Sequence, residues 1–162
     1  MPANDMPSPR WALILGASSG FGAATALALA RNGLDILGVH LDRRATLERV
    51  EKLVADIRSC GRQALFFNVN AADPERRAEV LRAACQAMGP SSGRGGIRCL
   101  LHSLAFGTLK PYISASPESA IRPADMNMTL DVMAHSLVYW VQDFFAAGLL
   151  PRGARILAMS TC

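Results

Sequence analysis

Hydrophobic residues along the chain follow two alternating patterns. Short, nearly continuous apolar runs are typical of strands that are buried on both faces of a sheet. Between them, apolar residues recur every three or four positions, as on one face of an α-helix. The predicted strands are residues 11–15, 34–41, 63–69, 97–103 and 154–160, and the predicted helices are residues 21–32, 46–59, 73–88 and 125–150. This alternation predicts an α/β fold with a doubly wound parallel sheet.

A glycine-rich turn joins the first predicted strand to the first predicted helix, in the pattern Gly-x-x-x-Gly-x-Gly. The first glycine permits a sharp turn, the second lets the backbone approach a diphosphate, and the third allows close packing of helix on strand. The amides and the positive dipole end of the helix favour an anion. The predicted nucleotide contacts are Gly16, Ser18, Ser19, Gly20, Phe21 and Gly22. A tight strand-to-helix connection without a ligand is the alternative explanation.

Charged residues follow the second predicted strand, where the adenosine ribose of a dinucleotide would lie. A carboxylate there hydrogen-bonds the ribose diol and repels a 2′-phosphate, whereas an arginine pairs with that phosphate. Both types are present, as Asp42 and Arg43, but a count without gaps from Gly33 puts His40 in the carboxylate's place. The cofactor is therefore NADPH or NADH, with the phosphorylated form favoured. A charged surface turn is the alternative.

Composition predicts the class of protein. Hydrophobic residues make up 51% of the 162 positions and charged residues 19%, as expected for one folded domain. We assign this domain to residues 11–162, behind a flexible, proline-containing tail of residues 1–10. The 4 cysteines and 3 histidines are widely spaced, which argues against a metal site.

Charge and hydropathy limit the expected partners. The arginines behind the net charge of +4 are dispersed without a nucleic-acid motif, so we expect a small anionic ligand rather than nucleic acid. The start lacks the apolar segment of a signal peptide, and no run of about 18 apolar residues occurs. A cytoplasmic protein without membrane attachment is therefore predicted.

These motifs resemble the short-chain dehydrogenase/reductase family over nearly the whole chain after Arg10. The glycine turn matches that family closely, Asn68-Val69 falls where its adenine contact follows the third strand, and Ser103-Leu104-Ala105 occupies the place of its Asn-Ala-Gly. The resemblance implies a Rossmann-type sheet of five strands in the order 3-2-1-4-5. It also implies that the chain is truncated after the fifth strand and lacks the family's C-terminal third.

Two further segments are similar to the enoyl-acyl-carrier-protein reductase branch of the family. They are His102-Ser103-Leu104-Ala105-Phe106 and the helix that carries Asp131, Val132 and His135. Asp131 stands where ordinary members carry a catalytic Asn, with Asn127, one turn earlier, as the alternative position. The implied reaction is hydride transfer from a nicotinamide to a 2-enoyl thioester. A carbonyl or hydroxyl dehydrogenase of the same family and a non-catalytic dinucleotide-binding module are the alternatives.

The family's Tyr-x-x-x-Lys pair, which follows the fifth strand, does not occur in these residues. Tyr112 is followed four positions later by Ser116, and Tyr139 by Asp143. We therefore expect the chain to be inactive alone. Thr161 aligns with the family's catalytic serine, with Ser160 as the competing position, and either could be an ordinary polar residue at a strand end.

The resemblance also predicts which surfaces are exposed. A fifth strand without a further neighbour leaves an apolar patch around Ile156 and Leu157. In the family, the helix at residues 125–150 pairs between subunits. A homo-oligomer is therefore expected, with another copy of the chain on these surfaces.

Overall fold

A computed structural model describes residues 10–89 and 95–160. The five predicted strands and the first three predicted helices are confirmed, with bounds that differ by one or two residues. The strands are β1 Arg10–Leu15, β2 Asp35–His40, β3 Ala64–Asn68, β4 Gly96–His102 and β5 Arg155–Ala158. The helices are α1 Gly20–Arg31, α2 Leu47–Ser59, α3 Pro74–Met88, α4 Pro123–Leu130 and α5 Ser136–Ala146.

The five strands form one parallel sheet in the order β3-β2-β1-β4-β5, which confirms the predicted topology. Leu15, the last residue of β1, pairs with Val39 on one side and His102 on the other. The strand order reverses between β1 and β4, because β2 and β3 lie on one side of β1 and β4 and β5 on the other. The carboxyl ends at such a switch point leave a crevice in which ligands bind.

Alternating side chains of β1 fill two cores on opposite faces of the sheet. Trp11, Leu13 and Leu15 pack with residues of α3 and α5, including Val80, Trp140 and Phe144. Ala12 and Ile14 pack on the other face with residues of α1 and α2, including Ala26, Ala30, Leu53 and Ile57. Because both faces of β1 are covered, residues 11–15 are fully buried. This explains the continuous apolar run in the sequence.

The predicted helix at residues 125–150 is not one regular helix, which corrects the sequence interpretation. It begins at Pro123 as α4 and passes through a π-helical turn, Asp131–His135, before α5 begins. The Ser136 amide donates to Asp131 O, five residues back. The helix ends at Ala146, where Gly148 has a φ of +71° and Leu149 N donates to Phe144 O. A hydrophobic period of 3.6 residues contains no signal for the inserted π turn.

The start of the chain differs slightly from the prediction. β1 begins at Arg10, one residue inside the predicted tail, and the remainder of that tail, residues 1–9, lies outside the described residues. Among the residues that the structure describes, no helix combines the length and apolar character needed to cross a membrane.

The predicted exposure of β5 is confirmed. Ile156 is 46% exposed and Leu157 is 51% exposed, although both lie in a strand. β5 pairs with β4 from Cys99↔Arg155 to His102↔Ala158, and it stands last in the strand order. In the part of the chain that the structure describes, an open sheet edge therefore lies beside these apolar side chains.

Candidate functional site

The glycine turn after β1 has the geometry that its three glycines predict. Gly16 has a φ of +87°, and a Cβ atom there would clash with the carbonyl oxygen of Ser103. A Cβ atom at Gly22 would clash with the carbonyl oxygen of Gly16. Gly16 N donates to Val39 O over 2.8 Å, which holds the turn against β2. The turn is therefore compact and fixed between the ends of β2 and β4.

A cavity of about 380 Å³ lies at the carboxyl ends of the strands, directly above this turn. Its walls come from the glycine turn, the ends of β2 and β3, the segment after β4 and the π turn. The residues that line it are Gly16, Ser18, Ser19, Gly20, Phe21, Val39, His40, Leu41, Asp42, Val69, Asn70, Ala71, Ser103, Leu104, Ala105, Phe106 and Val132. The fold thus brings together most of the predicted contacts in one crevice.

The start of α1 offers this cavity an anion-binding surface. The first amides of an α-helix have no intrahelical acceptor, and the helix dipole places partial positive charge beside them. Ser19, the N-cap residue, makes no capping hydrogen bond with its side chain, and the first turn of α1 carries no acidic residue. At Gly20 a Cβ atom would meet no atom within 4 Å, so open space lies next to the backbone. These features fit the diphosphate of a dinucleotide.

The tip of β2 places a carboxylate in the same cavity. Asp42 Oδ2 lies 2.9 Å from His40 Nδ1, and Asp42 Oδ1 accepts from Thr46 Oγ1 over 2.8 Å. Burial opposes ionisation of the Asp42 carboxyl, but hydrogen bonds from Ser18, Thr46 and His40 outweigh burial and lower its pKa. The carboxyl is therefore ionised at neutral pH. Its bond to Ser18 links the end of β2 to the glycine turn.

Two predicted contacts lie around this tip rather than in the cavity. Asn68 accepts from Asp42 N over 2.8 Å and donates to Asp42 O over 3.0 Å, so it braces the backbone of the tip. Arg43 is exposed and does not line the cavity, although it directly follows Asp42. Val69, the neighbour of Asn68, does line it.

The structure adds residues that sequence reasoning missed. Val132 lines the cavity from the π turn, and Asn70 and Ala71 line it from the segment after β3. His102 and Ser136 form a buried pair beside it, with 2.8 Å between Nε2 and Oγ. His102 and Val132 lie inside motifs that the sequence analysis noted. No spacing rule, however, links β4 to a π turn about 30 residues later.

The two predicted catalytic positions that the structure describes, Asp131 and Ser160, lie outside this cavity. Asp131 is not among the lining residues, and its Oδ1 accepts from Tyr139 Oη over 3.1 Å and lies 3.5 Å from His135 Nδ1. The π turn places Val132, its neighbour, against the cavity instead. Ser160 is exposed just beyond β5, and Thr161 lies outside the described residues. The catalytic roles of all three stay predictions.

Known proteins are similar to this chain in sequence and in fold. Cyclohexanol dehydrogenase from Acinetobacter sp. (strain SE19) is 32% identical over 143 residues, which are 85% of this chain and 50% of that enzyme. The chain thus spans about half the length of this curated relative. A short chain dehydrogenase from Burkholderia cenocepacia J2315, solved in complex with NADP, is similar with a TM-score of 0.72 and 26% identity, over 97% of this chain and 58% of that one.

A second solved structure shares the fold at lower identity. It is the 3-oxoacyl-[acyl-carrier protein] reductase from Brucella melitensis in complex with NAD, with a TM-score of 0.72 and 22% identity over 97% of this chain and 57% of that one. The family model for short chain dehydrogenases matches residues 10–161, nearly the whole of the sequence. With the parallel sheet, the glycine turn and the cavity above it, this match shows that the chain belongs to the short-chain dehydrogenase family of oxidoreductases.

Proposed function

We propose that this chain binds a nicotinamide dinucleotide for a hydride-transfer reaction. The observation that carries the proposal is the cavity over the start of α1, where the N-cap side chain and the first turn leave the helix amides to an anion. The amides between Ser18 and Gly22 would hold the diphosphate. When bound, the dinucleotide supplies the hydride.

The strand order indicates how the two halves of the cofactor would lie. A dinucleotide crosses the switch point of a doubly wound sheet, with one nucleotide on each side. Asp42 at the end of β2 would therefore be near the adenosine ribose. The segment from Ser103 to Ala105, after β4, would flank the nicotinamide half.

We propose NADPH as the preferred form. The Asp42 carboxylate already receives hydrogen bonds from Ser18, Thr46 and His40, so it has less capacity to accept from a ribose diol. The exposed Arg43 next to it is available to pair with a 2′-phosphate. Charge repulsion from Asp42 opposes this preference, and the arginine has to outweigh it.

Substitutions at the tip of β2 test the cofactor preference. In Arg43→Ala we expect NADPH affinity to fall about tenfold and NADH affinity to stay unchanged, because a charge-assisted hydrogen bond is lost. In Asp42→Ala we expect NADPH to bind more tightly, because a negative charge is removed. Fluorescence titrations with both cofactors measure these effects. If neither substitution alters the preference, the interpretation of the strand tip is wrong.

For the substrate we propose a 2-enoyl thioester. The support is the segment from His102 to Phe106, which is similar to the enoyl reductase branch and which lines the cavity from Ser103 onward. A carbonyl or hydroxyl substrate is the second candidate, favoured by the 32% identity with a cyclohexanol dehydrogenase. The two candidates differ in whether the hydride reaches a β-carbon or a carbonyl carbon.

The proton donor of the reaction is not among these residues, in our proposal. The 162 positions contain no Tyr-x-x-x-Lys, which in this family supplies the phenol and the cation that lowers its pKa. We expect the hydroxyl of Thr161 or Ser160 to assist such a tyrosine. The chain alone would then bind the cofactor without turning over.

Binding and turnover test the proposal separately. We expect saturable NADPH or NADH binding to this chain, and no oxidation of NADPH with 2-butenoyl thioester. For the longest product of the same gene, we expect reduction of 2-butenoyl thioester but not of cyclohexanone. Absence of cofactor binding contradicts the dinucleotide site. Reduction of the ketone alone favours the second substrate candidate.

A further inference from the structure

His102 and Ser136 form a polar pair inside the protein, where polar groups rarely persist without partners. His102 is 2% exposed at the end of β4, and Ser136 is fully buried at the start of α5. His102 Nε2 lies 2.8 Å from Ser136 Oγ, and Ser136 Oγ donates to Val132 O over 2.7 Å. The pair therefore connects the sheet to the π turn.

The available donors indicate where the hydrogen atoms of these two hydrogen bonds lie. A serine hydroxyl carries a single hydrogen, and here the carbonyl oxygen of Val132 receives it. With the hydroxyl in this orientation, His102 Nε2 carries a hydrogen and donates to Ser136 Oγ. Burial also lowers the pKa of His102, which favours the neutral ring. The histidine is thus a neutral donor.

The serine hydroxyl supplies a bond that the π turn removes. In a regular α-helix, the Ser136 amide would donate to Val132 O, four residues back. Here that amide donates to Asp131 O instead. The hydroxyl of Ser136 takes its place at the Val132 carbonyl. His102 holds this hydroxyl from the sheet, so it stabilises the shape of the turn.

The turn shapes the part of the cavity assigned to the nicotinamide half. Val132 is 8% exposed and lines the cavity from the turn, and Ser103, which directly follows His102, lines it from β4. The backbone carbonyl of His102 also accepts from Met159 N over 2.8 Å, at the end of β5. His102 therefore connects β4 to the end of β5 and, through Ser136, to the π turn on the other wall of the cavity.

We propose that His102 and Ser136 are positioning residues that set the distance between Val132 and the segment after β4, and thereby the affinity for the nicotinamide half of the cofactor. This inference rests on the proposed dinucleotide site. The adenosine half lies on the other side of the switch point, over β1 and β2. Affinity for the adenosine half should therefore not depend on His102 and Ser136.

Binding of two ligands to the same variants tests this inference. NADPH carries both halves of the cofactor, whereas 2′-phospho-ADP-ribose lacks the nicotinamide. In His102→Leu and Ser136→Ala we expect NADPH affinity to fall about tenfold, because a buried hydrogen bond is broken. Affinity for 2′-phospho-ADP-ribose should change less than about twofold in the same proteins. The second ligand shows directly that each variant is folded.

Two further variants separate positioning from general stability. His102→Gln replaces the imidazole N–H by an amide N–H donor. We expect the NADPH affinity of this variant to be within about twofold of that of the unsubstituted chain. Asp35→Ala is the matched control, because Asp35 is a buried residue of β2 whose Oδ1 accepts from Gln63 N over 2.8 Å, at the opposite end of the strands. It should lower the melting temperature and leave affinity for both ligands unchanged.

The outcomes distinguish the two proposals. If the unsubstituted chain binds neither ligand, the proposed function fails and this inference fails with it. If that chain binds both ligands but His102→Leu keeps its NADPH affinity, the inference alone is overturned. It is also overturned if both ligands weaken equally, or if His102→Gln behaves like His102→Leu.

Discussion

Gly22 accepts no side chain, because a Cβ atom there would overlap the carbonyl oxygen of Gly16. In Gly22→Ala the turn must shift, and we expect a loss of about 3 kcal/mol in the free energy of unfolding. Cofactor affinity should fall as well, since the same turn would hold the diphosphate. Urea denaturation and NADPH titration measure the two effects.

Gly61→Ala is the control for this prediction. Gly61 has a φ of +71°, and a Cβ atom there would meet no atom within 4 Å. Its cost is therefore backbone strain alone, about 1 kcal/mol, and cofactor affinity should not change. Equal losses in the two variants would show that the clash at Gly22 has no special effect.

The lowered pKa of Asp42 makes stability depend on pH. The folded state favours the ionised carboxyl. Its contribution to the free energy of unfolding is therefore complete above the ordinary pKa of 3.8 and is lost as pH falls through the lower pKa of the folded state. We expect Asp42→Asn to cost about 2 kcal/mol at pH 7. Below pH 3 to 4, roughly the range where an ordinary aspartate titrates, this difference should shrink. A difference that stays constant from pH 7 to about pH 2 would contradict the assignment.

At the scale of single elements, α3 begins with a side-chain cap. Asp73 Oδ1 accepts from Glu75 N over 2.9 Å and from Arg76 N over 3.1 Å, and Pro74 occupies the first helical position. We expect Asp73→Ala to lower the free energy of unfolding by about 1 kcal/mol. Chemical denaturation followed by circular dichroism measures the change.

Glu79→Ala on the same helix is the comparison. Glu79 Oε2 pairs with Arg76 Nη1 over 2.9 Å, but both side chains are about half exposed. Solvent screens such a pair, so its loss should cost less stability than the loss of the Asp73 cap. If both variants lose the same stability, the cap contributes no more than a surface ion pair.

At the scale of the whole molecule, the open edge at β5 predicts self-association. Ile156, Leu157 and Met159 are each at least 45% exposed, and within residues 10–89 and 95–160 no strand pairs with the outer side of β5. We expect the chain to form dimers or larger species as concentration rises. Sedimentation velocity should show this, and Leu157→Lys should shift the distribution toward monomer.

Leu109→Ser is the control for association. Leu109 is fully exposed in the loop between β4 and α4 and is not part of β5. Its replacement should leave the sedimentation profile unchanged. A chain that stays monomeric at high concentration, with or without Leu157, would contradict the prediction.

The sequence alone determined the strands, the first three helices, the parallel direction of the sheet and the glycine turn. These features depend on local periodicity and on backbone requirements that few residues meet, such as the positive φ of Gly16. Burial of β1 on both faces appears in the sequence as five consecutive apolar residues. Most predicted cofactor contacts lie in one cavity, because the carboxyl ends of parallel strands meet at the same edge of the sheet.

Tertiary structure alone decided the roles of residues that are distant in sequence. Asp42 and Asn68 are 26 positions apart in the sequence, yet two hydrogen bonds between them brace the tip of β2. The π turn moves Val132 to the cavity and Asp131 away from it, because one inserted residue rotates the face of a helix. Only a folded chain brings His102 to Ser136, since no local period joins a strand to a turn. Sequence periodicity determines which elements form, but contacts between them determine which side chains reach the site.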